Sequence, residues 1–522
     1  MSTAIGKDSA TSPPTVQLPD VAQSVSTAID TALFPASEST WEVSLSADAV
    51  ASNVVFESNT EITGGSFKIT TVEVAGAGTV TAKGLKLVSP SNEHLTIRAP
   101  LEIPADQVFE TATSTQYKHV YLYSKVTGSG EWKMNQNNTN QRAGVQFHGD
   151  AGADMSEFAG TLTVINATSS LRDQTGIWGS IASSSNAVWN LVGFNKSNDD
   201  NSSLLKNAGT TYYFGALNGA AYASGNQSNH QKNIWEIGAR EDVDSVLSGN
   251  FFCNTYTNLV GDRSDTIRKV GAGSTLTFSG SRVRAYEANA GVLKIGADVA
   301  LLTTWVKDGV PGAYVPSITF NGGILKLSDA VTLDVSTNIA KVVSTSAITF
   351  DDEGVDRTWE VALPGSGGLT KKGSGTLTLS AAPLYKGLTT VEEGTLVMPK
   401  GENVHVTLNA FYTNNIPVNS TVDGYAYPAG TNLTWSADAP TFDKPLAVSG
   451  LASVDLSSAT VSNGLVIAKA TAITGLEGGR WKNITLVLPV GVNPERWRLG
   501  VDDTGKALVI VPRRPPTVIS FF

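Results

Sequence analysis

Residues Gly365 to Gly401, called here the opening stretch, read GSGGLTKKGSGTLTLSAAPLYKGLTTVEEGTLVMPKG. It holds three short runs of alternating polar and apolar residues, separated by turns rich in glycine. In the first run, Leu377 and Leu379 lie on one face of a strand and the threonines lie on the other. Leu396 holds the apolar position of the third run. Each apolar face is too small to be buried alone, so the stretch must stack on a similar neighbour.

A second copy of this pattern lies between Arg268 and Gly296 and reads RKVGAGSTLTFSGSRVRAYEANAGVLKIG. A third element, tryptophan followed by glutamate, recurs at three positions: Trp41, Trp235 and Trp359. Degenerate internal repeats of this kind indicate a solenoid, in which each coil buries its apolar face against the next. We expect six side chains of the two copies to face the interior: Leu276, Phe278, Leu293, Leu377, Leu379 and Leu396.

This pattern resembles the autotransporter-associated β-strand repeat of bacterial surface proteins. Gly367 to Leu396 follow the family's order of a Gly-Gly-Leu-Thr-Lys start, a Gly-Thr-Leu strand, a Tyr-x-Gly turn at Tyr385 and a final Gly-Thr-Leu strand. The chain departs from the family at Pro383-Leu384, where Asn-Thr is usual. The resemblance is partial over 261–297. It implies an all-β fold, a right-handed parallel β-helix displayed outside a bacterial cell, and no catalytic residues.

The sequence divides into five segments: 1–39, a flexible N-terminal leader; 40–260, a β-helix with long polar loops; 261–401, a β-helix with the repeats; 402–511, the final coils and a cap; and 512–522, a C-terminal tail. In the leader, apolar spacing over Asp20–Leu33 permits one short amphipathic helix. Near the end, two β-prone runs around Asp502–Lys506 predict an antiparallel hairpin. Such a hairpin reads as a cap, because an open coil end exposes unpaired strand edges.

Composition excludes several classes of function. The net charge of −10 and a pI near 5.1 argue against nucleic acid as a partner, because phosphate binding needs a basic surface. Cys253 is the single cysteine, which rules out an intrachain disulfide and a cysteine zinc site. The five histidines show no metal-ligand spacing. We therefore expect no cofactor and no metal.

Location follows from the resemblance rather than from a targeting signal. No apolar run approaches the roughly 18 residues of a membrane helix, so we expect no membrane span. The first twenty residues lack a basic segment followed by an apolar core, so no signal peptide is visible. The resemblance implies an extracellular or bacterial cell-surface protein.

Parallel β-helices also house polysaccharide lyases and glycosidases, which use clustered carboxylates. Three acidic runs are candidates: Asp199-Asp200, Glu241-Asp242-Asp244 and Asp351-Asp352-Glu353. Adjacent residues of a strand point to opposite faces, so we interpret these runs as solvated turns. We predict no catalytic residues and no enzymatic activity.

Residues 105–260 are rich in aromatic side chains beside Asn and Asp, a combination that binds sugars through ring stacking and hydrogen bonds. The candidate glycan contacts are four: Trp178, Trp189, Tyr212 and Trp235. The alternative is that these rings stack inside the coils.

Two classes of function remain. The first is a non-enzymatic extracellular structural or adhesive protein that self-associates into a surface fibre. The alternative is a carbohydrate-binding or polysaccharide-degrading β-helix protein, such as a lyase, a glycosidase or a tailspike-like protein. The candidate subunit contacts form an uncharged, β-prone end: Thr517, Val518, Ile519, Ser520, Phe521 and Phe522. This end either adds as a strand to the next subunit or folds back on its own chain.

Overall fold

The computed structural model is nearly all β. It describes residues 2–4, 15–17, 31–34, 41–44, 49–50, 53–56, 60–63, 66–68, 71–74, 79–89, 94–113, 119–136, 144–166, 176–192, 209–220, 233–249, 265–281, 283–307, 310–342, 346–365, 367–381, 383–385, 389–397, 405–408, 424–427, 430–435, 437, 439, 441–442 and 444–513. In these ranges there is no α-helix. Short 3-10 segments occur at Gly149–Ala151, Ser180–Ala182, Asp298–Ala300, Val335–Asn338, Glu477–Asn483 and Pro494–Arg496.

The chain forms two compact units, Met1–Ser317 and Ile318–Phe522. The strands of the first unit are β1 (Ser2–Ala4), β2 (Thr15–Gln17), β3 (Thr31–Phe34), β4 (Trp41–Ser44), β5 (Ala49–Val50), β6 (Asn53–Phe56), β7 (Thr60–Thr63), β8 (Ser66–Lys68), β9 (Thr71–Val74), β10 (Val80–Lys83), β11 (Lys86–Ser89), β12 (Leu95–Ile97), β13 (Leu101–Ile103), β14 (Val108–Thr113), β15 (His119–Leu122), β16 (Val126–Gly128), β17 (Glu131–Gln136), β18 (Gly144–His148), β19 (Thr161–Asn166), β20 (Gly176–Trp178), β21 (Ser184–Val192), β22 (Thr211–Ala220), β23 (Ile234–Ile237), β24 (Ser245–Ser248), β25 (Thr266–Lys269), β26 (Thr275–Phe278), β27 (Ala285–Ala288), β28 (Val292–Ile295), β29 (Thr303–Lys307) and β30 (Val310–Tyr314).

These strands stack as a parallel β-helix. Each of the early coils gives one strand to each of three parallel sheets, as β10, β11 and β12 do in one coil. From β22 onward each coil gives two strands, with β23, β25 and β27 in one parallel ladder and β24, β26 and β28 in another. β29 and β30 form an antiparallel hairpin. The predicted parallel β-helix is therefore confirmed.

The core of the first unit follows from the parallel register. Because parallel strands pair residue for residue, side chains of equal phase stack along the coils. In one row the pairs run from Phe109 through Trp132, Leu162 and Trp189 to Leu217, and all five side chains are fully buried. The large rings thus fill the inside of the coils, where each buries a large apolar area.

The second unit contains β31 (Ser317–Phe320), β32 (Ile324–Leu327), β33 (Ile339–Val342), β34 (Ile348–Asp351), β35 (Arg357–Trp359), β36 (Leu369–Lys372), β37 (Thr376–Leu379), β38 (Thr389–Val391), β39 (Thr395–Val397), β40 (His405–Leu408), β41 (Gly424–Ala426), β42 (Thr431–Thr434), β43 (Leu446–Ala447), β44 (Leu451–Asp455), β45 (Val466–Lys469), β46 (Ile473–Thr474), β47 (Thr485–Val487), β48 (Trp497–Val501) and β49 (Ala507–Pro512). Parallel ladders run through β32, β34, β36, β38, β40, β41, β43 and β46, through β35, β37 and β39, and through β42, β44 and β47. The six residues predicted to face inward are all buried.

The predicted antiparallel cap is confirmed as well. β48 and β49 pair antiparallel, and β45 completes the sheet. The hairpin turn lies against the end of the parallel ladder: the backbone N–H of Ile473 donates to the carbonyl of Gly505 at 2.8 Å, and that of Ala470 donates to the carbonyl of Lys506 at 2.8 Å. Backbone groups at the β46 edge are thereby satisfied.

The N-terminal segment differs from the sequence-based expectation. The expected flexible leader contributes strands β1, β2 and β3, and β3 pairs with β1 and β6. The helix permitted over Asp20–Leu33 is wrong for residues 31–33, which lie in β3, while residues 20–30 lie outside the described residues. A short isolated helix has marginal stability in water. A strand beside existing strands instead gains backbone hydrogen bonds to its neighbours.

Candidate functional site

The most specific feature of the second unit is a buried ion pair that joins the opening stretch to the residue after β34. Lys371 lies on β36 with its side chain directed inward, and its Nζ is 2.6 Å from Oδ2 of Asp352. Both side chains are fully buried. The Lys371 ammonium also donates to the carbonyls of Lys372 (2.8 Å), Gly373 (2.7 Å) and Glu393 (3.1 Å). The cation thus ties together the turns of adjacent coils.

The other oxygen of this carboxylate accepts two backbone groups. Oδ1 of Asp352 accepts the backbone N–H groups of Gly354 at 2.9 Å and Gly375 at 3.1 Å. Gly373 leaves the necessary room: its φ is +81°, and a Cβ there would lie 2.2 Å from Oδ1 of Asp352. A side chain at this position would therefore be strained and would collide with the carboxylate.

The earlier repeat copy has a related lysine without the buried carboxylate. Lys269 is fully buried on β25, and its Nζ donates to the carbonyls of Val270 and Gly271 and, at 3.0 Å, to Oγ of Ser274. Burial lowers the pKa of Lys269 to about 8, against the opposing effect of the Glu241 and Asp244 charges. A buried lysine that holds turn carbonyls is thus common to both copies.

The acidic run Asp351-Asp352-Glu353 is only in part the solvated turn that the sequence favours. Asp352 is buried, because the parallel register places it under the turn that follows Lys371. Asp351 and Glu353 lie at the surface, 3.2 Å and 3.5 Å from Nζ of Lys326. A groove of about 580 Å³ opens beside this surface pair of carboxylates. It is lined by Lys326, Asp351, Glu353, Gly354, Lys372, Gly373, Ser374, Glu392 and Glu393.

Two carboxylates of the run Glu241-Asp242-Asp244 accept backbone N–H groups of the next coil. Oε1 of Glu241 accepts the N–H of Ala272 at 2.8 Å, and Oδ1 of Asp244 accepts the N–H of Thr275 at 2.6 Å. The exposed Asp242 instead pairs with Arg240, which lowers the pKa of this carboxyl to about 2.

In the second repeat copy, Oδ1 of Asp356 accepts the N–H of Thr376 at 2.7 Å. Thr376 holds the same place in its copy as Thr275, so amide capping by an aspartate recurs between copies. Sequence reasoning missed this role, although an acidic residue before each glycine-rich turn is its visible signal. Asp199-Asp200 lie outside the described residues.

Three of the four candidate glycan contacts are core residues. Trp189, Tyr212 and Trp235 are fully buried, so none of these rings offers a face to a sugar, and the alternative of stacking inside the coils is correct for them. Tyr212 donates its hydroxyl to the carbonyl of Ile177 at 3.2 Å. Trp178 lies on β20 in register with His148, and its side chain is outside the description.

Trp235 also binds a buried carboxyl group. Its indole N–H donates to Oδ2 of Asp265 at 2.7 Å, and the backbone N–H of Asn233 donates to Oδ1 at 3.1 Å. Burial raises the pKa of Asp265 to about 7, although both hydrogen bonds and the charge of Arg284 oppose this shift.

A different group of rings reaches the surface. Tyr121 and Tyr123 occupy the outward positions around β15, and the Tyr123 ring stacks on that of His148 with centroids 4.8 Å apart. The guanidinium of Arg98 lies 4.6 Å from the centre of the Tyr123 ring. Burial raises the pKa of Tyr121 and lowers that of His148. The alternation His-Val-Tyr-Leu-Tyr at 119–123 is the signal that could have identified these outward rings.

The predicted subunit contacts at residues 517–522 lie outside the described residues, as does the single cysteine, Cys253. In the ranges that are described, no group of three or more His, Cys, Asp and Glu side chains is arranged to hold a metal ion. Those ranges also contain no helix with the length and apolarity that crossing a membrane requires.

Comparison with known families identifies the opening stretch. Residues 369–398 match the family model of the passenger-associated-transport-repeat. The match confirms the resemblance to autotransporter passenger repeats, and it supports a passenger domain, consistent with a surface protein. None of the curated proteins and none of the solved structures compared matches the chain.

Proposed function

We propose that this chain is a non-enzymatic structural and adhesive protein of the bacterial surface that self-associates into a fibre. One observation carries the proposal: the passenger-associated transport repeat at 369–398 forms consecutive rungs of a parallel β-helix. The buried ammonium of Lys371 and the buried carboxylate of Asp352 both bind backbone groups of neighbouring turns. The repeat therefore supports a scaffold built from coils rather than a reaction centre.

The engagement of the charged groups supports the non-enzymatic part of the proposal. A general acid or base needs a carboxyl group free to exchange protons with a substrate. In the groove, Lys326 pairs with Asp351 and Glu353, and Lys372 pairs with Glu392 at 2.6 Å. These pairs orient the three carboxylates towards the lysines rather than towards the open groove.

Self-association is supported by an open strand edge at the end of the second unit. β47 is the last strand of its ladder and pairs with β44 alone among the described strands. Val487 at its end is 43% exposed, and Val490 just beyond is fully exposed. Unpaired strand edges and exposed apolar side chains both favour pairing with another chain.

The adhesive part of the proposal is supported by the outward rings of Tyr121 and Tyr123. These rings form a surface on which the rings of a ligand can pack.

Two measurements on the purified full chain test the proposal. Sedimentation velocity over a hundredfold range of concentration should show growing assemblies, and a chain that stays monomeric contradicts self-association. Incubation with a panel of acidic and neutral polysaccharides should release no new reducing ends. Release that the Asp351→Ala/Glu353→Ala variant abolishes would make the chain an enzyme; this variant leaves the buried Asp352 intact.

A further inference from the structure

A cluster of cations surrounds one aromatic ring in the cap. The centre of the Trp481 ring lies 5.2 Å from Cζ of Arg498, 5.3 Å from Cζ of Arg513 and 5.8 Å from Nζ of Lys482. The ring is half-buried, while Lys482 and Arg513 are exposed. The negative face of an indole attracts each cation, and three cations here share one ring.

The two arginines of this cluster donate to backbone carbonyls rather than to carboxylates. Arg513 donates Nε to the carbonyl of Trp497 at 3.0 Å, and Arg498 donates to the carbonyl of Leu499 at 3.2 Å. Neither arginine nor Lys482 forms an ion pair in the described part of the chain. The three side chains around the ring carry the same positive charge, so an anion at this surface is attracted to all of them.

The cluster adjoins the open strand edge. The carbonyl of Trp481 accepts the N–H of Ile484, the residue before β47, at 3.2 Å. The exposed Val487 and Val490 follow directly. We name this surface, formed by Trp481, Lys482, Arg498, Arg513, β47 and Val490, the cap face. It combines apolar side chains and unpaired backbone with a basic rim, which is the composition of a protein interface.

Charge is distributed unevenly along the chain. Residues 477–522 hold seven Lys and Arg against four Asp and Glu, whereas the whole chain holds 37 against 47. The end that carries the cap face is therefore basic, and the rest of the chain is strongly acidic. A basic patch on an acidic molecule is complementary to another copy of that molecule.

We infer that the cap face binds the acidic coils of a second copy of this chain. This inference rests on the proposed self-association and identifies one of its two contacting surfaces. The two surfaces differ, so the contact is head-to-tail, and a head-to-tail contact that does not close adds subunits without limit. The cap face thereby sets the direction in which the fibre grows.

The test compares two variants with the same change in net charge. The first reverses the cap face: Lys482→Glu, Arg498→Glu and Arg513→Glu. The matched control reverses three exposed cations of the same cap that do not contact the Trp481 ring: Arg480→Glu, Arg496→Glu and Lys506→Glu. Circular dichroism and melting curves of both variants, compared with the wild type, establish that each is folded.

Sedimentation velocity at about 0.05 M and 1 M salt gives the outcome. We expect the cap-face variant to associate at least about tenfold more weakly than the wild type, and the control about as strongly, because exposed charge pairs contribute modestly each and add over three sites. High salt should weaken wild-type assembly, since the Debye length falls to about 3 Å at 1 M.

The failures are distinguishable. Wild-type assembly that the cap-face variant retains overturns the inference and leaves the proposed function standing. Equal loss in both variants makes the effect one of net charge and also overturns it. A wild type that is monomeric at both salt concentrations contradicts self-association itself. A wild type that is monomeric but binds polygalacturonate through the cap face replaces the second copy with an acidic glycan and overturns the inference.

Discussion

Replacing Lys371 with methionine removes one charge from the interior of the second unit while keeping a similar side-chain length. The Asp352 carboxylate then keeps its two backbone N–H donors and loses the cation at 2.6 Å. Three turn carbonyls that Lys371 serves lose their donor at the same time. We expect this single change to destabilise the rungs of the repeat.

The magnitude follows from the burial of both groups. Breaking a fully buried pair by removing one partner costs about 3–5 kcal/mol, because the other charge stays in a poorly solvated place. Lys372→Met is the matched control. Lys372 pairs with Glu392 at 2.6 Å, but the two side chains are 34% and 40% exposed, so its loss should cost less than about 1 kcal/mol.

Urea unfolding followed by circular dichroism measures both variants. With a slope of ~2 kcal/mol per molar urea, Lys371→Met should lower the midpoint by about 2 M. Hydrogen exchange should localise the loss to peptides covering 369–397 and leave peptides covering 266–295 unchanged. A Lys371→Met midpoint within error of the Lys372→Met midpoint would refute the role assigned to the buried pair.

Three further expectations follow from buried positions in the coils of the two units. Gly373→Ala should destabilise the second unit by about 2 kcal/mol or more, because its φ is +81° and the new Cβ meets Asp352; an unchanged melting temperature contradicts this. Leu377→Ala should cost about 2–5 kcal/mol as a cavity in the core, whereas Thr378→Ala on the outward side should cost little in the same urea titration. Asp265 binds its proton more tightly in the folded chain, since burial raises its pKa from 3.8 to about 7. The favourable contribution of Asp265 to the free energy of unfolding is therefore complete below pH 3.8 and is lost as the pH rises towards 7. Asp265→Asn should make the free energy of unfolding less dependent on pH over that range, which urea titrations at several pH values measure.

The fold was predictable because the sequence shows two periodicities, the alternation within strands and the spacing of the glycine turns. Alternation placed Leu377, Leu379 and Leu396 inside, and the spacing of the glycine turns identified the coils. The hairpin around Asp502–Lys506 was equally visible, since two β-prone runs flank a turn sequence. These features depend on neighbours in sequence or on a simple repeat.

The candidate site depends instead on which residues meet across coils. Asp352 resembles its exposed neighbours in sequence, and only the register between β34 and β36 brings it beneath Lys371. Trp235 has the composition of a sugar contact, yet its phase in β23 points it inward to Asp265. The cation cluster at Trp481 forms only in the folded chain, where β48 and the end of β49 bring Arg498 and Arg513 over the ring. In all three cases the contact depends on how strands pair in the folded chain, and composition does not reveal it.

The proposed function requires that this β-helix assemble with itself. Electron microscopy of the purified full chain at low salt tests that requirement. We expect filaments of uniform width that lengthen with protein concentration and disperse in 1 M salt. Separate single particles at every concentration and salt would contradict it.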